Sequence, residues 1–199
     1  MDVKPHKLNS SDYISVATLH FDHLNQGFLA TLGVPFLTLL YEAIDRDNES
    51  ALLVERVDCS IVGFVTGTRG LGRIYKQLLL QPLRLIYSLK SCLLSPSKIY
   101  KIIEVLLISK ESNILADLPQ QELLSIVVSP AYQGGGHAEN LFKALCSHFR
   151  EEGVSSFSIV VGGNLDRAHS FYTKMGSIPV QEIQVHKGVD SVVYVKKLS

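Results

Sequence analysis

The chain carries no surplus of charge: its 19 Lys and Arg residues are cancelled by 19 Asp and Glu. A nucleic-acid binder shows a basic excess or stripe that neutralises phosphates, so the balance argues against that class. Cysteine is scarce as well. Cys59, Cys92 and Cys146 are odd in number and far apart. No pair has metal-ligand spacing, so they read as reduced, mostly buried thiols, and no metal is expected. Long apolar runs are missing: none approaches the roughly 20 residues needed to cross a bilayer. The opening MDVKPHKLNS has no apolar stretch of the secretory kind. A soluble, cytoplasmic protein is expected.

What is present is a chain of 199 residues, 46% of them hydrophobic. A chain of that size buries roughly 70% of the surface its unfolded form exposes, enough for one sizeable core. With no repeat, low-complexity tract or linker, a single domain over residues 1–199 is the economical expectation. Residues 3–8 read as a short strand, and Asn9 to Asp12 as a helix cap opening a helix to about His20. Phe28 to Ile44 has helical periodicity interrupted by Gly33 and Pro35, which predicts two pieces or a kink. Residues 51–57 and 60–68 read as a hairpin. Between 73 and 110 Leu, Ile, Tyr and Lys dominate; helices at about 73–90 and 97–109 make a helical insertion there. The rest alternates: a strand over 122–129, a helix over 136–151, a strand over 156–161, a helix over 165–175, and strands over 178–186 and 190–197.

The sharpest local signal is the junction after the strand at 122–129, Gln133-Gly134-Gly135-Gly136-His137-Ala138, followed by a helix. Consecutive glycines cost backbone entropy, so a bare chain is needed there. A helix N-terminus offers unpaired N–H groups and the positive end of a dipole, which favour an anion such as a phosphate. No third glycine completes a dinucleotide fingerprint after Gly134 and Gly136, and the Walker lysine is absent. Gln/Arg-x-x-Gly-x-Gly/Ala is met by Gln133, Gly136 and Ala138.

In these residues the chain resembles the GNAT N-acetyltransferases of bacterial type. LLSIVVSPAY, residues 123–132, is similar to that family's strand and Pro-x-Tyr lead-in. NLDRAHSFYTKMG, Asn164 to Gly176, is similar to its second signature. Two departures stand out: His137 replaces an aliphatic residue, and Gly135 replaces a common Lys or Arg.

The resemblance implies an α/β GNAT fold, a mixed central sheet of about six to seven strands flanked by helices, with the insertion at about 73–110 between the third and fourth strands. It implies an enzyme that moves an acetyl group from acetyl-CoA to a primary amine by direct attack in a ternary complex. The pantetheine arm would pair with Ile126, Val127 and Val128. The pyrophosphate would sit on the N–H groups of Gly134, Gly135, Gly136, His137 and Ala138, beside Gln133, with Asn164 and Ala168 completing the cofactor site. Tyr172 would protonate the leaving thiolate and Glu122 would take the amine proton, directly or through water. The alternative is a module that binds acyl-coenzyme A for regulation without turnover.

Acceptor identity falls to the first helices, where His20, His23 and Phe28 are the candidate substrate-binding residues. His20 to Gly33 is similar to a run in bacterial GNAT proteins associated with surface-polysaccharide synthesis, which points to an amino sugar or nucleotide-linked amino sugar. In the insertion, Arg73, Lys76, Arg84, Lys90, Lys98, Lys101 and Lys110 stand against Glu104 alone. That basic, apolar unit is a candidate contact with a membrane surface or with a second copy, in a monomer or homodimer.

Overall fold

The computed structural model describes residues 8–24, 28–90, 118–186 and 189–198. Helix α1, Ser10–His23, begins where the sequence supplies a cap. Asn9 Oδ1 accepts from the Ser11 and Asp12 N–H groups, and Asp12 Oδ2 accepts from the Asn9 N–H at 2.9 Å. The next periodic stretch splits as Gly33 and Pro35 predict, into a 3₁₀ turn, Phe28–Leu32, and α2, Val34–Arg46. Pro35 falls in the first turn of α2, where its missing N–H removes no helical bond.

Strands β1, Ser50–Val57, and β2, Ser60–Thr68, form the expected hairpin. Asp58 and Cys59 both take positive φ, 47° and 65°, the primed geometry that matches the twist of the strands it joins. Cys59, on this turn, is an exposed free thiol; Cys146 is free and buried, and Cys92 lies outside the described residues.

The region read as one helix over 73–90 is two: α3, Leu71–Leu79, and α4, Pro82–Ser88. Proline cannot extend the hydrogen-bond ladder of α3, so the chain breaks before it and restarts with Pro82 in the first turn. The helix expected at 97–109 and most of the strand expected at 3–8 lie outside the described residues. Counted within them, α3 and α4 follow the second strand of the sheet and precede the third, one place earlier than expected.

The remaining elements are β3, Glu122–Val128; a 3₁₀ turn, Pro130–Tyr132; α5, His137–Glu151; β4, Ser156–Gly162; α6, Asp166–Lys174; β5, Ile178–His186; and β6, Val189–Lys197. They complete a six-stranded sheet of order β1-β2-β3-β4-β6-β5. Every neighbouring pair is antiparallel except β3 with β4. The mixed, helix-flanked sheet inferred from the sequence is the architecture observed.

Each face of the sheet carries its own core. On one side α1 to α4 bury Phe36, Tyr41, Ile74 and Leu78 against Phe64 of β2. On the other, α5 and α6 bury Leu141, Phe142, Phe149 and Tyr172 against Phe157 and Ile159 of β4. Helix α5 lies close on β2 because β2 has glycine beneath it. A Cβ on Gly67 would stand 2.4 Å from the Phe149 ring, and one on Gly63 3.1 Å from Leu141 Cδ1.

The corner between α3 and α4 leaves Leu80, Leu83, Ile86 and Tyr87 exposed. Beside it an apolar groove of about 600 Å³ runs between Ile14, Val34, Pro35, Leu83 and Tyr87. None of its lining residues belongs to the glycine junction, so its size does not mark the reaction site. Among the described residues, no helix is long and apolar enough to cross a membrane.

Candidate active site

The sheet opens at β3. Against β2 the register runs Thr66↔Ser125 and then Gly67↔Leu123, which leaves Leu124 as an extra residue in β3. Such a bulge bends its strand and sharpens the local twist. On the other edge β3 pairs with β4 only at Glu122↔Ser158 and Leu123↔Ile159. Past Leu123 the parallel strands have no further pairing among the described residues, whereas β4 stays paired with β6 as far as Gly162↔Ser191. The β4-facing edge of β3 beyond the bulge thus borders a gap, where an extended arm can add like a strand. Ile126 and Val128 turn to the α5 core and Val127 to the α2 core.

The glycine turn closes the end of this gap. Gly134 and Gly136 both have φ of 82°. A Cβ at either would meet nothing within 4 Å, so backbone conformation, not crowding, requires glycine there. Gly136 is the N-cap of α5, and no side chain caps the helix. Its first N–H groups are therefore available to an anion, aided by the helix dipole. The Gln133 side-chain amide donates to the Val128 carbonyl at 3.2 Å and ties the turn to the end of β3. Ala138 packs partly buried against the α5 core.

His137, an aliphatic position in the usual pattern, turns toward the sheet. Its Nδ1 is 3.0 Å from Glu55 Oε1, and Asn140 Nδ2 donates to the same oxygen at 3.4 Å. Both His137 and Glu55 are buried. A buried carboxylate is costly without a partner, and this imidazole supplies one. What His137 offers a ligand is its backbone N–H.

Tyr172, in α6, is buried. Its ring packs against Phe142, Phe171 and Tyr194, with centroids 6.0, 5.2 and 6.2 Å away. Burial pushes its phenol above the ordinary tyrosine range, so it stays protonated at neutral pH. Ala168 packs partly buried on the same core, while Asn164 is exposed just before the helix. Lys174 Nζ donates to Glu139 Oε1 at 3.1 Å, joining the end of α6 to the first turn of α5.

On the opposite face, burial raises the carboxyl of Glu122 above its ordinary value, which strengthens it as a base. The Tyr75 phenol is pushed up to about 12, chiefly by burial and then by the charge of Glu122. His20 is buried too. Its Nδ1 is 2.5 Å from the Tyr41 hydroxyl, and burial lowers the imidazole to about 4. The Tyr41 phenol in turn meets the Ser125 hydroxyl beside the bulge. His20 is thus a buried neutral partner of Tyr41, not a free base. His23 is exposed at the end of α1, so these two candidates do not share a site. Phe28 opens the 3₁₀ turn.

Four polar residues escaped the sequence reading: Tyr41, Ser125, His169 and Glu55. His169, in α6, ties β6 to the end of β4, with Nδ1 2.9 Å from the Tyr194 hydroxyl and Nε2 3.1 Å from the Gly162 carbonyl oxygen. Only Glu55 left a trace in the sequence. Ala51, Leu53 and Glu55 alternate onto one face of β1, which places a carboxylate at a core position.

A parallel strand pair that parts beside a bulge, with a bare helix N-terminus at its open end, can lodge an extended ligand that carries an anionic group. The chain belongs to the acetyltransferase (GNAT) family, whose model matches residues 20–177. Among solved structures it is similar to an N-acetyltransferase from Staphylococcus aureus Mu50, at 12% identity over 96% of each chain and a TM-score of 0.64. It is similar also to a ribosomal-protein-alanine N-acetyltransferase from Brucella melitensis, at 12% identity over 97% of this chain and 98% of that one, TM-score 0.63. Ard1 from Thermoplasma volcanium is 15% identical over 98% of this chain and 96% of its own, TM-score 0.61. Among curated proteins none matches the sequence. The protein is an acyltransferase of a family whose co-substrate is acetyl-CoA.

Proposed function

We propose that this enzyme moves the acetyl group of acetyl-CoA onto the primary amine of a small molecule, an amino sugar or nucleotide-linked amino sugar, by direct attack in a ternary complex. The observation that carries the reading is the loss of β3–β4 pairing after Leu123 next to an uncapped helix N-terminus. One gap then offers strand-like pairing to a pantetheine arm and N–H groups to a diphosphate.

Acetyl-CoA supplies the thioester carbon. The amine nitrogen bonds to that carbon, the carbon–sulfur bond breaks, and the surplus amine proton goes to the Glu122 carboxylate. The Tyr172 phenol gives its proton to the departing sulfur and regains one from solvent, to which Glu122 gives up the proton it took. Burial supports the first role by making Glu122 a stronger base; the Tyr172 role rests on the likeness of residues 164–176 to the family's second signature. The amino-sugar assignment rests on the likeness of residues 20–33 to GNAT proteins of polysaccharide synthesis.

The first test is thermal unfolding with and without saturating acetyl-CoA, with NADH and ATP as controls. Binding at a hundredfold excess over Kd adds about 2.7 kcal/mol, a rise of roughly 5–10 °C for a chain of this size. A rise with acetyl-CoA alone is expected. No rise in folded protein would remove the cofactor assignment. Mass-spectrometric screening of amino-sugar nucleotides against a peptide with N-terminal alanine then decides the acceptor, and acetylation of the peptide alone would overturn the amino-sugar reading.

A further inference from the structure

The glycine turn departs from the usual pattern at Gly135 and at His137, and in the structure both departures meet at one contact. A Cβ built on Gly135 would lie 3.1 Å from His137 Cδ2, 3.2 Å from Nε2 and 3.4 Å from the Tyr132 carbonyl oxygen. The imidazole is therefore the floor on which Gly135 rests, and a larger residue at 135 would press into it. Glu55 Oε1 holds that floor at 3.0 Å, and the Tyr132 ring stands edge-on to it at 5.9 Å. Asn140, three residues further along α5, donates to the same carboxylate oxygen. Glu55 is 3% exposed and sits on β1, two strands away from the edge where the arm would add. A carboxylate so deeply placed is retained at a cost unless its hydrogen bonds do something useful. Its partner is the first residue of a helix that has no side-chain cap.

Resting on the reading that a coenzyme A diphosphate takes the N–H groups of α5, we propose that Glu55 is a positioning residue for coenzyme A. Acting through His137, it fixes the floor beneath Gly135 and holds the Gly134–Gly136 turn in its anion-binding conformation before the ligand arrives. Three successive glycines left unheld would sample many conformations, and ordering them on binding would weaken affinity. With the floor fixed, that ordering is completed on folding.

The test is calorimetric titration of the full chain with coenzyme A, at a temperature where circular dichroism shows every variant folded. Glu55→Ala is expected to weaken Kd about tenfold. Glu55→Gln, which keeps an acceptor oxygen for the ring N–H, is expected to stay within about threefold of the wild type. Gly135→Ala, which pushes a methyl against the ring, is expected to weaken Kd by a similar factor of about ten. The double variant Glu55→Ala/Gly135→Ala should be little weaker than either single, because both act on the same turn. A merely structural Glu55 would lower the melting temperature and leave Kd unchanged, and that result overturns the proposal, as does full additivity in the double variant. Should Glu55→Ala fail to fold, Gly135→Ala on its exposed turn decides alone, and an unchanged Kd sinks the inference. Wild-type protein that binds no coenzyme A is a separate failure, removing the assignment of the site itself.

Discussion

Acidification tests the buried His20–Tyr41 pair. Burial takes the His20 imidazole from an ordinary 6.5 down to about 4. The unfolded chain therefore binds a proton near pH 6.5, while the folded protein resists one until about pH 4. Stability contributed by neutral His20 is present above 6.5 and is lost as the pH falls toward 4. At 1.36 kcal/mol per unit the whole span is about 3 kcal/mol, of which about 2 kcal/mol is gone by pH 5. The assay is urea unfolding of wild type and His20→Gln at pH 7.5 and pH 5. The variant loses the contact with the Tyr41 hydroxyl and should start about 1–2 kcal/mol less stable. It has no proton to take up at that position, so the gap should close by about 2 kcal/mol at pH 5. Glu122, raised by burial, and Asp12, lowered on balance although desolvation opposes its bonds to Asn9 and Arg56, titrate in both proteins and cancel in the comparison. Equal changes with pH in the two proteins would refute the reasoning.

Tyr172→Phe should lower kcat by about 10²–10⁴-fold and leave the Kd of coenzyme A unchanged, as steady-state kinetics and calorimetry would show. Gly67→Ala places a methyl 2.4 Å from the Phe149 ring and should cost about 1–3 kcal/mol in a denaturant midpoint, with no effect at all refuting the close packing of α5 on β2. Gly136→Ala forces a side chain onto a φ of 82°, with an expected cost of about 1–2 kcal/mol together with weaker coenzyme A binding. Leu83→Ser, at the exposed α3–α4 corner, should change stability by less than about 0.5 kcal/mol; a larger loss would mean that corner is covered in solution.

The order of elements was legible because the sequence punctuates it. Asn9, Gly33 with Pro35, and the glycine run each mark a boundary for a backbone reason, and the structure breaks at each of them. Pro82 marks a boundary of the same kind inside a leucine-rich stretch whose periodicity predicts one helix, and the chain forms two short ones there. The bulge at Leu124 and the parting of β3 from β4 were not readable from the residues themselves, since Leu124 fits a regular strand and only the pairing partners reveal the offset. The polar contacts were least visible. His20 and Tyr41 are 21 residues apart and His137 and Glu55 are 82 apart, so no local pattern joins them. His20 reads as a candidate for substrate contact because a histidine near a helix end gives no sign of how deeply the fold will bury it.

The sheet is two leaves on a short spine. One leaf is β1, β2 and β3, the other β4, β6 and β5, and the strands that join them share two residue pairs at one end. Helix α5 leaves the first leaf at the glycine turn and packs back across it through Leu145 and Phe149 over Gly67. The same helix also meets the second leaf, where the Phe149 ring lies 5.2 Å from that of Phe157, so a ligand lodged at the open end works against the two shared pairs and against this aromatic brace together. The breadth of the opening is thereby tied to the packing of one helix: a change in the volume of Phe142, Phe149 or Phe157 would be felt at the gap as well as in the core.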